Sequence, residues 1–215
     1  QFRPFLVKEE KILLVAMESK DNNEIISATK DILKACTFDK LDIDSLPMFD
    51  VEYLLLQIRG KSVGEVANFK VICPDDKMTA TDVELDLSTV EVQVDDEHTN
   101  KIQVNDSVSL LMKYPTINSV DPTKDYSKGA DTSTLFKVIS DGIYQIFEGE
   151  KVHLAKDYTR EELDKFVESL DSKSFKKIQR FYETMPKLMH EIEVENPKTK
   201  VKSKITLSGL SDFFG

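Results

Sequence analysis

Val83-Glu84-Leu85-Asp86-Leu87 alternates apolar and acidic residues without a break. Side chains along an extended strand point to opposite faces with a period of two, so this stretch predicts a strand with one face buried and one in water. The pattern spreads both ways. Val66, Val71 and Ile72 stand upstream, before the turn-forming Cys73-Pro74-Asp75-Asp76. Downstream, Val90, Val92 and Val94 continue the alternation, and Val104, Val108, Leu110 and Met112 extend it. Asp95-Asp96 and Asn105-Asp106 supply turns between them. Short strands this close together predict a small, mainly antiparallel sheet with hairpins.

Before this region the period is helical. Val7 to Met17 carries Ile12, Leu13, Val15, Ala16 and Met17, with Glu9 and Glu10 in a first turn where the helix dipole favours acids. Asp21-Asn22-Asn23-Glu24 stops that helix and caps a second one bearing Ile25, Ile26, Ile32, Leu33 and Cys36. A third, Phe49 to Ile58, is the most apolar and is predicted to stop at Arg59-Gly60-Lys61, since glycine beside late cations ends helices. The three should pack on one another.

After the sheet, Asn118 to Asp131 is polar and reads as a surface loop, either a plain linker or a partner-binding segment that includes Asp121, Pro122 and Tyr126. Leu135, Val138, Ile139, Ile143, Ile146 and Phe147 then fit a helical stripe. Thr159-Arg160-Glu161-Glu162 is a capping box, and Phe175, Ile178, Phe181, Tyr182 and Met185 mark a last long helix ended by Pro186. Ile192 and Val194 lead into Asn196-Pro197-Lys198-Thr199, and Val201, Ile205 and Leu207 lead out, a hairpin that echoes the one around Cys73. Leu210, Phe213 and Phe214 form an apolar end that must dock on the domain or on a partner.

The fold expected is therefore α+β: N-terminal helices, a small mainly antiparallel sheet with hairpins, and a C-terminal helical group. In segments this means 1–64 helical, 65–115 β-rich, 116–131 loop, 132–189 helical, and 190–215 hairpin with apolar tail, as one compact domain or two small ones. The 215 residues suffice for either, and 40% hydrophobic content supports a packed interior. The chain opens at Gln1 without a methionine, so an N-terminal piece is expected to have been lost.

Several function classes are disfavoured by what the chain lacks. A formal charge of −10 is repelled by phosphate backbones, so no nucleic-acid partner is expected. No apolar run approaches the ~20 residues of a bilayer span, so no membrane anchor is expected either. Cys36 and Cys73 read as reduced, buried thiols. His98, His153 and His190 stand alone, and His98 sits among Asp95, Asp96 and Glu97 in what reads as a solvated acidic turn. Cys73-Pro74-Asp75-Asp76 occupies the place of a zinc knuckle with one thiol only, whereas a structural zinc site needs four ligands. No Gly-x-Ser-x-Gly is present, and seven glycines leave no phosphate-cradling loop. Neither catalytic residues nor a cofactor or metal are expected, and the chain is read as a non-enzyme. A hydrolase or metal enzyme is the weakest alternative.

Contact surfaces remain. Lys198, Lys200, Lys202 and Lys204 alternate along a predicted strand, either as a solvated edge that discourages aggregation or as a face for an acidic partner. Arg3-Pro4-Phe5 is a further candidate, with the alternative that Arg3 pairs with a nearby carboxylate while Phe2 and Phe5 pack beneath the first helix.

Phe2-Arg3-Pro4-Phe5-Leu6-Val7-Lys8-Glu9-Glu10-Lys11, then Leu13-Leu14 and Ala16-Met17-Glu18, resembles the start of the baseplate hub proteins of T-even-type contractile-tailed phages. Leu46-Pro47-Met48-Phe49-Asp50-Val51-Glu52-Tyr53-Leu54 and Gln57-Ile58-Arg59-Gly60-Lys61-Ser62-Val63-Gly64-Glu65 are similar to the family's most recognisable stretch. Cys73-Pro74, Leu85-Asp86-Leu87 and the closing Leu207-Ser208-Gly209-Leu210-Ser211-Asp212-Phe213-Phe214 also fit. The chain departs from the pattern in lacking the segment that precedes Arg-Pro-Phe and a second cysteine in the hairpin turn. The resemblance implies a part in building the tail baseplate hub, as a virion subunit or as a transient assembly chaperone absent from the finished particle. It implies other hub proteins as partners, with self-association open, and a place in the virion tail baseplate after assembly in the host cytoplasm.

Overall fold

The computed structural model describes residues 2–19, 21–119, 132–209 and 212–213. The chain forms two compact units, one of Gln1–Gln93 with Pro186–Gly215 and one of Val94–Met185. The C-terminal hairpin thus belongs with the N-terminal helices, although more than ninety residues (Val94–Met185) intervene.

In the first unit, α1 (Val7–Ser19), α2 (Asn22–Cys36) and α3 (Met48–Val63) precede a hairpin of β1 (Val66–Ile72) and β2 (Ala80–Asp86). Asp21 caps α2, its side chain accepting from the Asn23 N–H at 2.8 Å. α3 overruns its expected stop. It passes through Gly60 and ends at Gly64, whose φ of 126° no side-chain-bearing residue adopts readily and whose N–H closes on the Gly60 carbonyl at 3.2 Å. Gly60 therefore sits inside a helix, where glycine costs up to about 1 kcal/mol relative to alanine. An added Cβ would meet nothing within 4 Å. Gly60→Ala is expected to stabilise the chain by about 0.5–1 kcal/mol, read as a rise of roughly 1–4 °C in thermal melting.

The alternating stretch Val83–Asp86 lies in β2, paired antiparallel with β1 so that Leu85 faces Ala67. Its alternation stops one residue early. Asp86 accepts from the Ser88 N–H at 2.9 Å and caps a 3-10 turn, Leu87–Thr89, that tucks Leu87 inward. β3 (Val92–Gln93) then joins β8 (Lys187–Glu195), which pairs with β9 (Lys202–Ser208) in the order β3-β8-β9. The two hairpins share one core with α3: Leu56, Ala67, Leu85, Leu188, Leu207 and Phe213 are all buried together.

The second unit is an antiparallel meander, β4 (Lys101–Gln103), β5 (Val108–Met112), β6 (Ile143–Glu148) and β7 (Lys151–Leu154), with α4 (Thr132–Gly142), α5 (Arg160–Glu168) and α6 (Ser172–Thr184). β6 corrects the expected helical stripe. Leu135, Val138 and Ile139 do lie on α4, but from Ile143 onward the chain is extended and pairs with β5. The spacing of 143, 146 and 147 fits either state, and the edge of β5 captures a segment rich in strand-favouring Ile, Tyr and Phe. Gly142 makes the change of direction, and a Cβ there would stand 2.0 Å from Tyr182 Oη, which donates to the Val138 carbonyl at 3.0 Å. The capping box of α5 is complete: Thr159 accepts from the Glu162 N–H while the Glu162 carboxylate accepts from the Thr159 N–H at 2.7 Å.

Candidate functional site

Arg3-Pro4-Phe5 is tied to the first unit through Arg3 and Phe5, while Pro4 is exposed. The Arg3 N–H donates to the Cys36 carbonyl at 2.9 Å, and the Phe5 N–H donates to Ser62 Oγ at 2.8 Å. The guanidinium grips Glu9 through two bonds of 2.6 and 2.9 Å. Glu9 stands in the first turn of α1 and also accepts from the Leu6 N–H at 2.6 Å, satisfying a donor the helix start leaves free. Its side chain is 7% exposed. The Arg3 hydrogen bonds hold the Glu9 carboxyl at about 2, against the desolvation that would raise it. Phe5 is buried. Arg3 thus pairs with a carboxylate and Phe5 packs inward, as in the packing alternative, while Pro4 stays exposed.

The strand carrying the lysine run is shorter than expected. Only Lys202 and Lys204 stand in β9, while Lys198 and Lys200 belong to the turn before it. Lys204 reaches Glu191 at 2.6 Å, Lys202 reaches Glu193 at 3.0 Å and Lys200 reaches Glu195 at 3.8 Å. These carboxylate hydrogen bonds push the Lys202 and Lys204 ammonium groups up. The result is a cross-strand ladder of alternating sign rather than a basic face.

The two hairpin turns match each other. Lys77 and Lys200 both take left-handed backbone, with φ of 56° and 62°. Each returns its N–H at 2.9 Å to the carbonyl four residues earlier, that of Cys73 or Asn196. A clasp joins them: Asp75 accepts from Asn196 Nδ2 at 3.0 Å and from Thr199 Oγ1 at 2.5 Å, which holds its carboxyl below the usual range. Asp76, three residues after Cys73, spends its carboxylate on Met78 and Thr79. Desolvation, with Asp75 and Asp76 nearby, pushes the Cys73 thiol up, away from the thiolate that nucleophiles and soft metals need.

His98 closes a turn whose Asp95, Asp96 and Glu97 are exposed as expected, but its own ring is half-buried. Its ring lies between Thr184 Oγ1 and Tyr114 Oη, 2.9 Å from each, against the face of Phe181, and burial lowers its pKa. His153 bonds Tyr158 Oη at 2.6 Å at the surface. Among the described residues, no three His, Cys, Asp or Glu side chains gather where they could hold a metal ion.

Asp121, Pro122, Tyr126, Leu210 and Phe214 lie outside the described residues. Phe213 is described and fully buried in the first unit's core, so of the two places open to it the domain takes it. Asp212 helps to seat it by accepting from the Ser208 N–H at 2.8 Å.

Several large apolar side chains are exposed on α1. Leu13 and Ala16 go inward, whereas Ile12, Leu14 and Val15 remain about half exposed and Val7 is 81% exposed. Sequence reading took α1 as a packing helix and missed this face. The signal was present: Ile12 to Met17 is apolar all round, more than one stripe of a surface helix can bury.

The polar clusters described above are thus internal clasps, and α1 carries several exposed apolar side chains. The sequence model of the family described as T4 bacteriophage base plate protein matches residues 1–215. The chain belongs to that family. A search of curated proteins and one of solved structures returned no match. A T4-type base plate protein has its partners among the other proteins of the tail base plate. No described helix is long and apolar enough to cross a membrane.

Proposed function

We propose that this base plate protein is a subunit of the hub at the centre of the tail base plate, assembled in the host cytoplasm and acting through protein contacts with no reaction of its own. The observation that carries the reading is the family match along residues 1–215, joined to an outer helix that leaves Ile12, Leu14 and Val15 in water. Exposed large apolar side chains on an outer helix suit a surface that a neighbour will cover. The resemblance of the Arg-Pro-Phe opening and of residues 46–65 to hub proteins supports the central position over a peripheral one.

The alternative is an assembly chaperone that leaves before the particle is finished. Quantitative proteomics of purified virions separates the two. Stoichiometric presence with other hub proteins is the expected result, and absence from virions together with abundance in assembly intermediates would replace subunit by chaperone.

A further inference from the structure

Ile12, Val15 and Ala16 of α1 meet Ala28 of α2 along an open groove of about 600 Å³ in the first unit. Its two walls carry opposite charge. Lys8 and Lys11 line the α1 side, and Glu24 and Asp31 line the α2 side. None of these four enters an ion pair or a side-chain hydrogen bond among the described residues, whereas Lys30 and Lys34, elsewhere on α2, both reach Asp44 at 2.7 and 3.5 Å. The groove thus has an apolar floor between an unpaired basic wall and an unpaired acidic one.

We propose that a second copy of this chain docks here, α1 of each copy lying on α2 of the other. Only two residues join α1 to α2, so the helices run antiparallel and Lys8 and Lys11 stand alongside the stretch of α2 that holds Asp31. A two-fold axis along the groove keeps each residue's position along it and exchanges the walls. Lys8 and Lys11 of one copy then oppose Asp31 of the other, twice by symmetry, and Ile12 and Val15 of both copies close over the floor. A like-charged pair of walls would repel its own copy; this one is complementary to itself. The association goes beyond the base plate role and does not depend on it.

Analytical ultracentrifugation of the whole chain tests this, with chain-swap variants as the decisive arm. The wild type is expected to show a monomer–dimer equilibrium in the micromolar range. Lys8→Glu with Lys11→Glu in one chain, and Asp31→Lys in another, should each weaken their own dimer at least tenfold by setting like charges face to face. An equimolar mixture of the two should recover dimer, and native mass spectrometry should show it as the mixed species. Ile12→Asp with Val15→Asp should abolish dimer while circular dichroism and melting stay as in the wild type, because both positions are exposed. A wild type that stays monomeric at every concentration overturns the proposal. So does a dimer that the three variants leave unmoved, or a mixture that fails to recover it.

Discussion

Phe213→Ala is expected to cost about 3–5 kcal/mol of stability, the range for emptying a buried aromatic site. Phe213 has no exposed surface and lies against Leu56 of α3 and against Leu188 and Leu207 of the C-terminal hairpin. None of these neighbours can close the void cheaply, because each is itself buried at 3% exposure or less within the same cluster. Thermal and urea denaturation measure the loss, and for a chain of this size it corresponds to a fall of roughly 6–20 °C in melting temperature. A variant that melts within a degree or two of the wild type would show that the side chain is dispensable to the core. Any failure of Phe213→Ala to enter base plates should then follow its unfolded fraction, whereas Ile12→Asp is free of that effect. Comparing the two separates a core residue from a contact residue.

What made Phe213 hard to read is also what limits reading this fold from sequence. Local signals carried through. The capping box at Thr159, the alternation before Asp86 and the paired Pro-containing turns at Cys73 and Asn196 depend on neighbours within a few residues, and all appear in the structure as read. Ambiguity entered where partners are distant. Ile143, Ile146 and Phe147 suit a helix or a strand, and only the presence of β5, more than thirty residues away, decides between them. Phe213 needs cover, but its cover comes from Leu56 and Leu85, more than 120 residues earlier. The lysine run looked like one basic face because Glu191, Glu193 and Glu195 lie on the opposing strand, and register sets which charges meet. The α1 surface was legible in composition yet not recognised: a helix with too many apolar residues tells that some are left over, and the fold tells which.

Arg3→Met should give the second large effect, with a pH signature that identifies its cause. The substitution keeps an apolar stem against the unit but leaves Glu9, 5% exposed, without its cation. Removing one partner of a buried pair is strongly destabilising, and the 29% exposure of the Arg3 side chain moderates that loss, so a clear fall in melting temperature is expected at neutral pH. The Glu9 carboxyl is held at about 2 in the folded chain, below its ordinary value of 4.5. A depressed carboxylate binds its proton less readily when folded, so its stabilisation is complete above pH 4.5 and is lost as pH falls from there toward 2. The gap between wild type and Arg3→Met should therefore be widest at neutral pH and shrink through that acid window. Urea titrations at several pH values would read it directly. Adding Glu9→Gln to Arg3→Met should return part of the neutral-pH stability, because an amide oxygen can still accept from the Leu6 N–H without a buried charge. A gap that stays constant from pH 7 to pH 2.5 would mean that Arg3 acts by packing alone. Should Arg3→Met instead melt as the wild type does and yet fail to assemble, the guanidinium would belong to an interface after all, and the inward reading of Arg3-Pro4-Phe5 would fall.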